Sequence, residues 1–237
     1  MDSHRPVFHL KFSKGSSLHS CLKNRQSFQV PDSFAMFKDM LKSYFKEGMI
    51  EAGCDEAGRG PLAGPVVAAA VILPPDYKNE LLNDSKKLKK KDLDLLEGVI
   101  KHEALAYSVQ EVSHTKIDEI NILNASYLAM HLSVEDLPIK PNLLLIDGNR
   151  FKPFPGIPHE CIVKGDGKYM SIAAASILAK TYRDRLMTEL AQQYPGYGWE
   201  SNAGYPTPKH REAIRNLGIT PFHRKSFRLL PEQLELF

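Results

Sequence analysis

Two apolar runs joined by a glycine-rich turn constrain the fold of this 237-residue chain more than any other feature. Met49–Cys54 predicts a buried strand that ends at the adjacent acids Asp55 and Glu56, and Pro65–Leu73 predicts a second buried strand. Adjacent side chains on a strand point to opposite faces, so both acids reach one site only if the chain leaves the strand there. The glycines of Gly58-Arg59-Gly60 permit that bend and let a ligand approach the main chain closely. An acidic turn between two strands is the plainer interpretation.

Two further acids follow apolar runs later in the chain. Pro141–Ile146 predicts a buried strand that ends at Asp147, and a strand predicted at Cys161–Val163 leads into Gly165-Asp166-Gly167. Ligands of open α/β sheets gather at the carboxyl ends of strands. If the strands are neighbours, all four acids converge at one end of the sheet, whereas an acid taken alone is also consistent with a simple turn.

Four converging carboxylates indicate metal chemistry. Packed carboxylates raise one another's pKa, and divalent cations relieve that cost. Oxygen-only ligands favour the hard ions Mg²⁺ or Mn²⁺. Two such ions about 3.5–4 Å apart can hold an attacking water and stabilise the leaving oxygen in phosphodiester hydrolysis. The candidate catalytic residues and metal ligands are therefore Asp55, Glu56, Asp147 and Asp166.

A lysine-rich segment precedes the first predicted helix. Ser85 can cap a helix from Leu88 to about Lys101, and Lys86 begins the lysine run. A helix N-terminus among lysines is a natural phosphate site, and a solvated helix start is the alternative. Further helices are predicted at 113–120, 122–134, 171–193 and 208–216, so the chain is predicted to form one α/β domain with extensions.

Composition limits the location and the partners. No apolar run approaches the length of about 20 residues that spans a membrane. The three cysteines form neither a zinc pair nor an even disulfide set, so a reducing cytoplasm is the simplest location. Residues 1–47 hold eight basic and four acidic residues, and residues 48–237 hold 23 and 24. Because the body is close to neutral, binding of nucleic acid would need local basic patches.

These motifs, taken in order from about Met40 to the C-terminus, resemble the signature of bacterial ribonuclease HII, a type 2 ribonuclease H. The resemblance implies a ribonuclease H-like fold, with a central mixed β-sheet flanked by helices and a small helical C-terminal part. It implies an endonuclease that hydrolyses the RNA strand of RNA–DNA hybrids and cleaves 5′ of ribonucleotides embedded in duplex DNA. The implied two-metal-ion reaction leaves 3′-hydroxyl and 5′-phosphate ends.

The resemblance also assigns roles to residues. The four acids match the catalytic carboxylates of the family. Gly58-Arg59-Gly60 would read a ribose 2′-hydroxyl, the group that distinguishes RNA from DNA, and Asp84-Ser85-Lys86 would contact substrate through Ser85 and Lys86. Tyr205 would pack against the sugar at an RNA–DNA junction, although a lone loop tyrosine is more often simply packed. The phosphates of the substrate would be contacted by a basic stretch formed by Lys209, Arg211, Arg215, Arg224, Lys225 and Arg228.

Two other functions share parts of this pattern. Another metal nuclease on the same fold, such as a resolvase or an exonuclease, keeps the acids but does not need Gly58-Arg59-Gly60 and Tyr205. A module that binds hybrids without cutting them is disfavoured by the complete set of acids, because repulsive acids near phosphates weaken binding without metal.

Three segments are predicted along the chain: a disordered N-terminal extension at 1–39, a catalytic domain at 40–219 and a C-terminal tail at 220–237. The tail ends in Gln233–Phe237, whose three large apolar side chains are unusual at a free terminus unless they dock. This segment resembles the Gln-Leu-x-Leu-Phe peptide by which bacterial replication proteins bind the sliding clamp. Docking on the protein's own body is the alternative.

Overall fold

The computed structural model describes residues 41–82 and 89–231. The strands within them are β1 (Glu51–Ala57), β2 (Val66–Ile72), β3 (Ala106–Val112), β4 (Leu143–Asp147) and β5 (His159–Ile162). They form one sheet in the order β3-β2-β1-β4-β5. The pairs β1–β2 and β2–β3 are antiparallel, whereas β1–β4 and β4–β5 are parallel. The mixed sheet expected from the sequence is therefore confirmed.

Helices lie between and after the strands. The described helices are α1 (Lys90–Glu103), α2 (His114–Glu135), α3 (Met170–Gln193), α4 (Trp199–Asn202) and α5 (Pro208–Leu217). Asn121 interrupts α2 with a φ of 65°, which agrees with the two separate helices predicted there. Its side-chain oxygen accepts a hydrogen bond from Asn124 N at 3.1 Å, so it caps the second half. No helix in the described part of the chain is long and apolar enough to cross a membrane.

Strand β2, between β3 and β1, is buried on both faces, which explains its lack of polar side chains. Side chains of a strand alternate between its two faces. Val67, Ala69 and Val71 pack with residues of α1 and α3. Val66, Ala68 and Ala70 pack with residues of α2. The helices therefore cover both faces of the sheet, as the sequence predicted.

Helix α3 lies unusually close to β1. The segment Ala173–Ala175 is fully buried and presents only methyl groups. A β-carbon at Gly53 of β1 would lie 2.2 Å from the carbonyl carbon of Ser171, so only glycine allows this approach. The small residues of α3 and the glycine of β1 together set the distance between helix and sheet, and hence the position of the strand end.

The C-terminal residues pack against the loop between β1 and β2. Leu62 and Ala63 of that loop join Trp199, Ile214 and Leu229 in a separate apolar cluster. Residues 220–231 of the predicted tail therefore lie against the body. Three predictions fall outside the described residues: the extension 1–39, the segment Asp84-Ser85-Lys86 with its proposed contacts Ser85 and Lys86, and the terminal Gln233–Phe237.

Candidate active site

Strand β1 carries both of its acids past the last residue pair that it forms with its parallel neighbour β4. The pairing of β1 with β4 stops at Cys54 and Ile146, whereas Asp55 and Glu56 stay in the strand and pair with β2. The expectation that the chain leaves the strand at these acids is therefore wrong. By this register Asp147, the last residue of β4, lies level with Asp55, and Glu56 lies one residue beyond the end of β4.

Three of the carboxylates are close enough to repel one another. Burial raises the pKa of Asp55 well above its ordinary value, and the charges of Glu56 and Asp147 raise it further, against a hydrogen bond from Ser176. Burial also raises the pKa of Glu56, against the nearby Arg59 guanidinium. The structure thus brings Asp55, Glu56 and Asp147 to one edge of the sheet.

Asp166 lies on a turn attached to Asp147. The 3₁₀ turn Gly165–Gly167 follows β5, and Gly165 N donates a hydrogen bond to Asp147 Oδ1 at 2.6 Å. Asp166 is buried in this turn. Within residues 41–82 and 89–231, however, no three His, Cys, Asp or Glu side chains are close enough to form a ready-made metal site.

The acidic side chains nevertheless suit a divalent cation. Their donor atoms are carboxylate oxygens, which hard ions prefer, and positive charge relieves the repulsion that raises the pKa of Asp55. Arg59 provides part of that charge, since its Nη1 lies 3.1 Å from Glu56 Oε1. A cation binding at Glu56 would therefore compete with Arg59 for the carboxylate.

Two clefts meet at Glu56 and Arg59. The first has a volume of about 320 Å³, and its lining includes Gly58, Arg59, Gly60, Ser176, Lys180, Arg183 and Tyr205. The second, of about 310 Å³, contains Asp147. Tyr205 is 45% exposed, and a β-carbon at Gly60 would lie 3.4 Å from its ring. The candidate substrate-reading residues thus lie in one cleft that shares a wall with the acidic edge.

Two buried arginines lie next to this cleft: Arg183, to which the sequence assigned no role, and Arg224, which was assigned to the basic stretch. Arg183 of α3 is 2% exposed and Arg224 is fully buried. The prediction that Arg224 follows phosphates is wrong, because its guanidinium donates to main-chain carbonyls inside the protein. Helical spacing gave a signal for Arg183, which lies four residues from the buried Ala179 and Met187 and therefore on the buried face.

Asp184 stands between Arg183 and Arg185 in the sequence, but the structure pairs it with a lysine. Lys180, one turn earlier, donates to Asp184 at 2.5 Å, and Arg185 pairs with Glu97 of α1. Because residues four apart in a helix face the same way, Lys180 was the geometrically better partner.

A buried pair of histidines supports the loop that carries Tyr205. Trp199 Nε1 donates to His210 Nε2 at 2.9 Å, so His210 carries its proton on Nδ1 and donates it to Tyr205 O, also at 2.9 Å. His223 Nδ1 accepts from Thr220 N, and its Nε2 lies 3.3 Å from His210 Nε2. Burial lowers the pKa of His210. Burial, together with the charge of His210, lowers the pKa of His223 to about 4. Both rings are therefore neutral at neutral pH.

Known proteins resemble the chain in sequence. The family model described as Ribonuclease HII matches residues 52–230. A Ribonuclease HII of Parabacteroides distasonis is 66% identical over 197 residues, which cover 83% of this chain and 99% of that protein. A Ribonuclease HII of Cytophaga hutchinsonii is 64% identical over 198 residues, which cover 83% and 98%.

Solved structures resemble it in fold. The ribonuclease H2 of Pyrococcus horikoshii OT3 gives a TM-score of 0.65 at 28% identity, over 76% of this chain and 94% of that one. The RNase HII in the PCNA:RNase HII complex of Archaeoglobus fulgidus gives 0.64 at 27% identity, over 79% and 100%. Bst-RNase HIII in complex with Mn²⁺ gives 0.58 at 19% identity, over 78% and 69%, a likeness of fold alone.

Proposed function

Because the chain belongs to the ribonuclease HII family and is thus a ribonuclease H acting on RNA–DNA hybrids, we propose that it also cleaves 5′ of single ribonucleotides embedded in duplex DNA. The products would carry 3′-hydroxyl and 5′-phosphate ends. One observation carries the proposal: the mutually repelling Asp55, Glu56 and Asp147 share an edge with the cleft that contains Gly58–Gly60 and Tyr205.

Divalent ions would be held by the four acids, Asp55, Glu56, Asp147 and Asp166. When bound, two such ions supply an activated water and stabilise the leaving oxygen, and we propose that Mg²⁺ or Mn²⁺ fills this role. The chain itself orients these ligands: the Gly165 N–H fixes one oxygen of Asp147, and Glu56 N fixes Oδ1 of Asp55 at 2.7 Å.

Recognition of the ribonucleotide is proposed for the first cleft. The main chain of Gly58–Gly60 would contact the 2′-hydroxyl, and the exposed ring of Tyr205 would cover the sugar. Ser85 and Lys86, outside the described residues, are proposed to hold a phosphate farther along the duplex. This division between main-chain reading and phosphate holding matches the general pattern in which phosphate contacts position a duplex and other contacts specify it.

Cleavage of matched duplexes tests the function. Three duplexes of one sequence, with zero, one or four ribonucleotides, separate the alternatives. The proposed enzyme cuts the second and third in Mg²⁺ or Mn²⁺ and stops in EDTA. A resolvase or exonuclease on this fold also degrades the all-DNA duplex, and a binding module cuts none.

Asp147→Asn tests the site within that assay. The amide keeps the size of the side chain and an oxygen for Gly165 N, but it holds a cation poorly, so we expect binding of the duplex without cleavage. Asp76→Asn, on the exposed turn after β2 and outside the lining of both clefts, is the matched control and should cleave normally. Cleavage at the wild-type rate by Asp147→Asn would remove this residue from the site.

Tyr205→Ala tests the sugar contact. We expect cleavage at a single ribonucleotide to fall by about tenfold or more while the melting temperature changes little, because the ring is half exposed. Equal losses in both would mean that Tyr205 only packs the loop.

We also propose that Gln233–Phe237 binds the replication sliding clamp in the cytoplasm. The support is the resemblance of this segment to clamp-binding peptides, together with the archaeal relative solved with PCNA. Deleting 233–237 should abolish retention on immobilised clamp and leave cleavage of free duplex intact. A large fall in melting temperature on deletion, with no clamp binding by the full chain, would show docking on the body instead.

A further inference from the structure

Two buried guanidinium groups hold the loop between β1 and β2 entirely through its main chain. Arg183 of α3 donates to the carbonyl oxygens of Ala63, Pro65 and Ala203, at 3.1, 3.0 and 2.9 Å. Arg224 donates to those of Gly58, Arg59, Gly64 and Pro65, at 2.6, 3.1, 2.9 and 3.1 Å. The rigid fork of arginine suits such a set of carbonyls, which a single ammonium group cannot reach at once.

Neither cation forms an ion pair within the described part of the chain. The acids that interact with them electrostatically, Asp184 with Arg183 and Asp118 with Arg224, lie beyond ion-pair distance. Burial lowers the pKa of Arg183 to about 10 and that of Arg224 to about 9, so both stay charged at neutral pH. Burying an unpaired charge costs several kcal/mol. Hydrogen bonds to main-chain carbonyls offset part of this cost, and the Phe227 ring, 5.0 Å from the Arg224 guanidinium, offsets a further part. The hydrogen bonds tie the conformation of the loop to the arginines.

The direction of these carbonyls fixes where the amide groups point. In a trans peptide unit the C=O and the following N–H point in opposite directions. The carbonyls of Gly58 and Arg59 point inward to Arg224, so the N–H groups of Arg59 and Gly60 point away from it. Both of these residues are exposed on the cleft. The arginine thereby presents two neighbouring donors to whatever enters the cleft.

Arg183 joins this loop to the loop that carries Tyr205. Its Nη1 donates to Ala203 O, while its Nε and Nη2 donate to Pro65 O and Ala63 O of the loop between β1 and β2. Leu62 N also donates to Gly204 O at 2.8 Å, which binds the two loops directly. The guanidinium of Arg183 therefore sets the distance between the outward amides of Arg59 and Gly60 and the Tyr205 ring.

We propose that Arg183 and Arg224 are positioning residues for ribonucleotide recognition: they orient the amides of Arg59 and Gly60, and the Tyr205 loop, towards the 2′-hydroxyl. This inference rests on the proposed function. The two arginines act through the loops, whereas a purely structural role would stabilise the fold without setting the preference for ribonucleotides.

Binding measured without cleavage separates these roles. In the Asp147→Asn background, fluorescence anisotropy gives the dissociation constants of two duplexes that differ only by one ribonucleotide. We expect the parent to prefer the ribonucleotide duplex, and Arg183→Lys or Arg224→Lys to reduce that preference about tenfold, the factor for one lost hydrogen bond. Affinity for the all-DNA duplex should stay the same, since lysine keeps the charge.

Two controls account for effects on stability. Arg185→Lys changes the same residue type on the same helix, but Arg185 pairs with Glu97, so its preference should equal that of the parent. Ile100→Ala, in the fully buried part of α1, lowers stability without touching the loops and should also keep the preference. Phe227→Leu removes the ring 5.0 Å from the Arg224 guanidinium. It should fold even where the lysine variants do not, and should shift the preference in the same direction by a smaller factor.

Each result has a distinct meaning. A parent-like preference in the folded lysine variants, or in Phe227→Leu where those do not fold, overturns the inference and leaves the proposed function standing. A parent without preference, combined with wild-type protein that does not distinguish the three duplexes in cleavage, overturns the proposed function itself.

Discussion

Replacing Gly58 with alanine tests how closely the loop between β1 and β2 packs around the side chain of Arg183. Gly58 has a φ of 96°, and a β-carbon there would lie 2.2 Å from Arg183 Nε and 2.9 Å from Pro65 O. The backbone conformation alone costs alanine about 1–2 kcal/mol. Displacing Arg183 loses at least one hydrogen bond from a charged donor, worth about 1.5–3 kcal/mol. We therefore expect Gly58→Ala to lower the free energy of unfolding by about 3–4 kcal/mol.

Gly156→Ala separates the backbone cost from the collision. Gly156 also has a positive φ, of 74°, but no atom lies within 4 Å of its β-carbon position. It should lose only about 1–2 kcal/mol. At ~2–4 °C per kcal/mol for a domain of this size, the melting temperature should fall by roughly 10 °C in Gly58→Ala and roughly 4 °C in the control.

Urea unfolding of both variants, followed by circular dichroism, measures these differences. A double mutant sharpens the test: in an Arg183→Ala background the cost of Gly58→Ala should shrink, because the colliding side chain is gone and the contact with Pro65 O remains. Equal losses in Gly58→Ala and Gly156→Ala, or full additivity in the double mutant, would refute the argument that Arg183 fills the space beside Gly58.

Three other changes have defined outcomes. His223 should make the free energy of unfolding fall by about 3 kcal/mol between pH 6.5 and pH 4, because the unfolded ring takes up a proton that the buried ring, with its pKa of about 4, does not. Urea unfolding measured across this pH range should show a flatter slope for His223→Asn. Asp55→Asn should raise the melting temperature in EDTA by ~2–4 °C, about 1 kcal/mol, by removing a buried charge, and should abolish the rise that Mn²⁺ gives the wild type in calorimetry. Gly60→Ala should keep the wild-type melting temperature yet cut cleavage at a single ribonucleotide about tenfold, since the protein has room for the methyl group and a bound sugar does not; a normal rate would mean that no ligand approaches Gly60 closely.

The strands that carry the acids were predictable because their signal is local. Continuous apolar runs identified β1, β2 and β4, and the acids that follow the runs of β1 and β4 identified the carboxyl edge. The extent of β1 was not predictable, because its last residues pair with β2 on one side only, and that pairing depends on the register of a partner strand. The sequence therefore indicated which acids would gather at this edge without showing that Asp55 and Glu56 both stay in the strand.

The burial of Arg224 could not be predicted from the sequence, for a different reason. Arg224 stands in a sequence that reads as an exposed basic tail, between His223 and Lys225. Its partners are carbonyls 159 to 166 positions earlier in the chain, and carbonyls carry no sequence signal. A basic residue can be recognised as buried from its sequence only where a regular element fixes its face, as α3 does for Arg183.

The two glycines of Gly58-Arg59-Gly60 differ in what surrounds the position of a β-carbon. Gly58 is required by the protein itself, since its positive φ and the space filled by Arg183 exclude a β-carbon before any ligand binds. Gly60 is free of both demands, because a β-carbon there would make only an ordinary contact with the Tyr205 ring. Any need for glycine at position 60 would then come from whatever enters the cleft. The inner glycine thus makes room for Arg183, which joins this loop to the loop of Tyr205, and the outer glycine leaves the outward amides accessible to a ligand in the cleft.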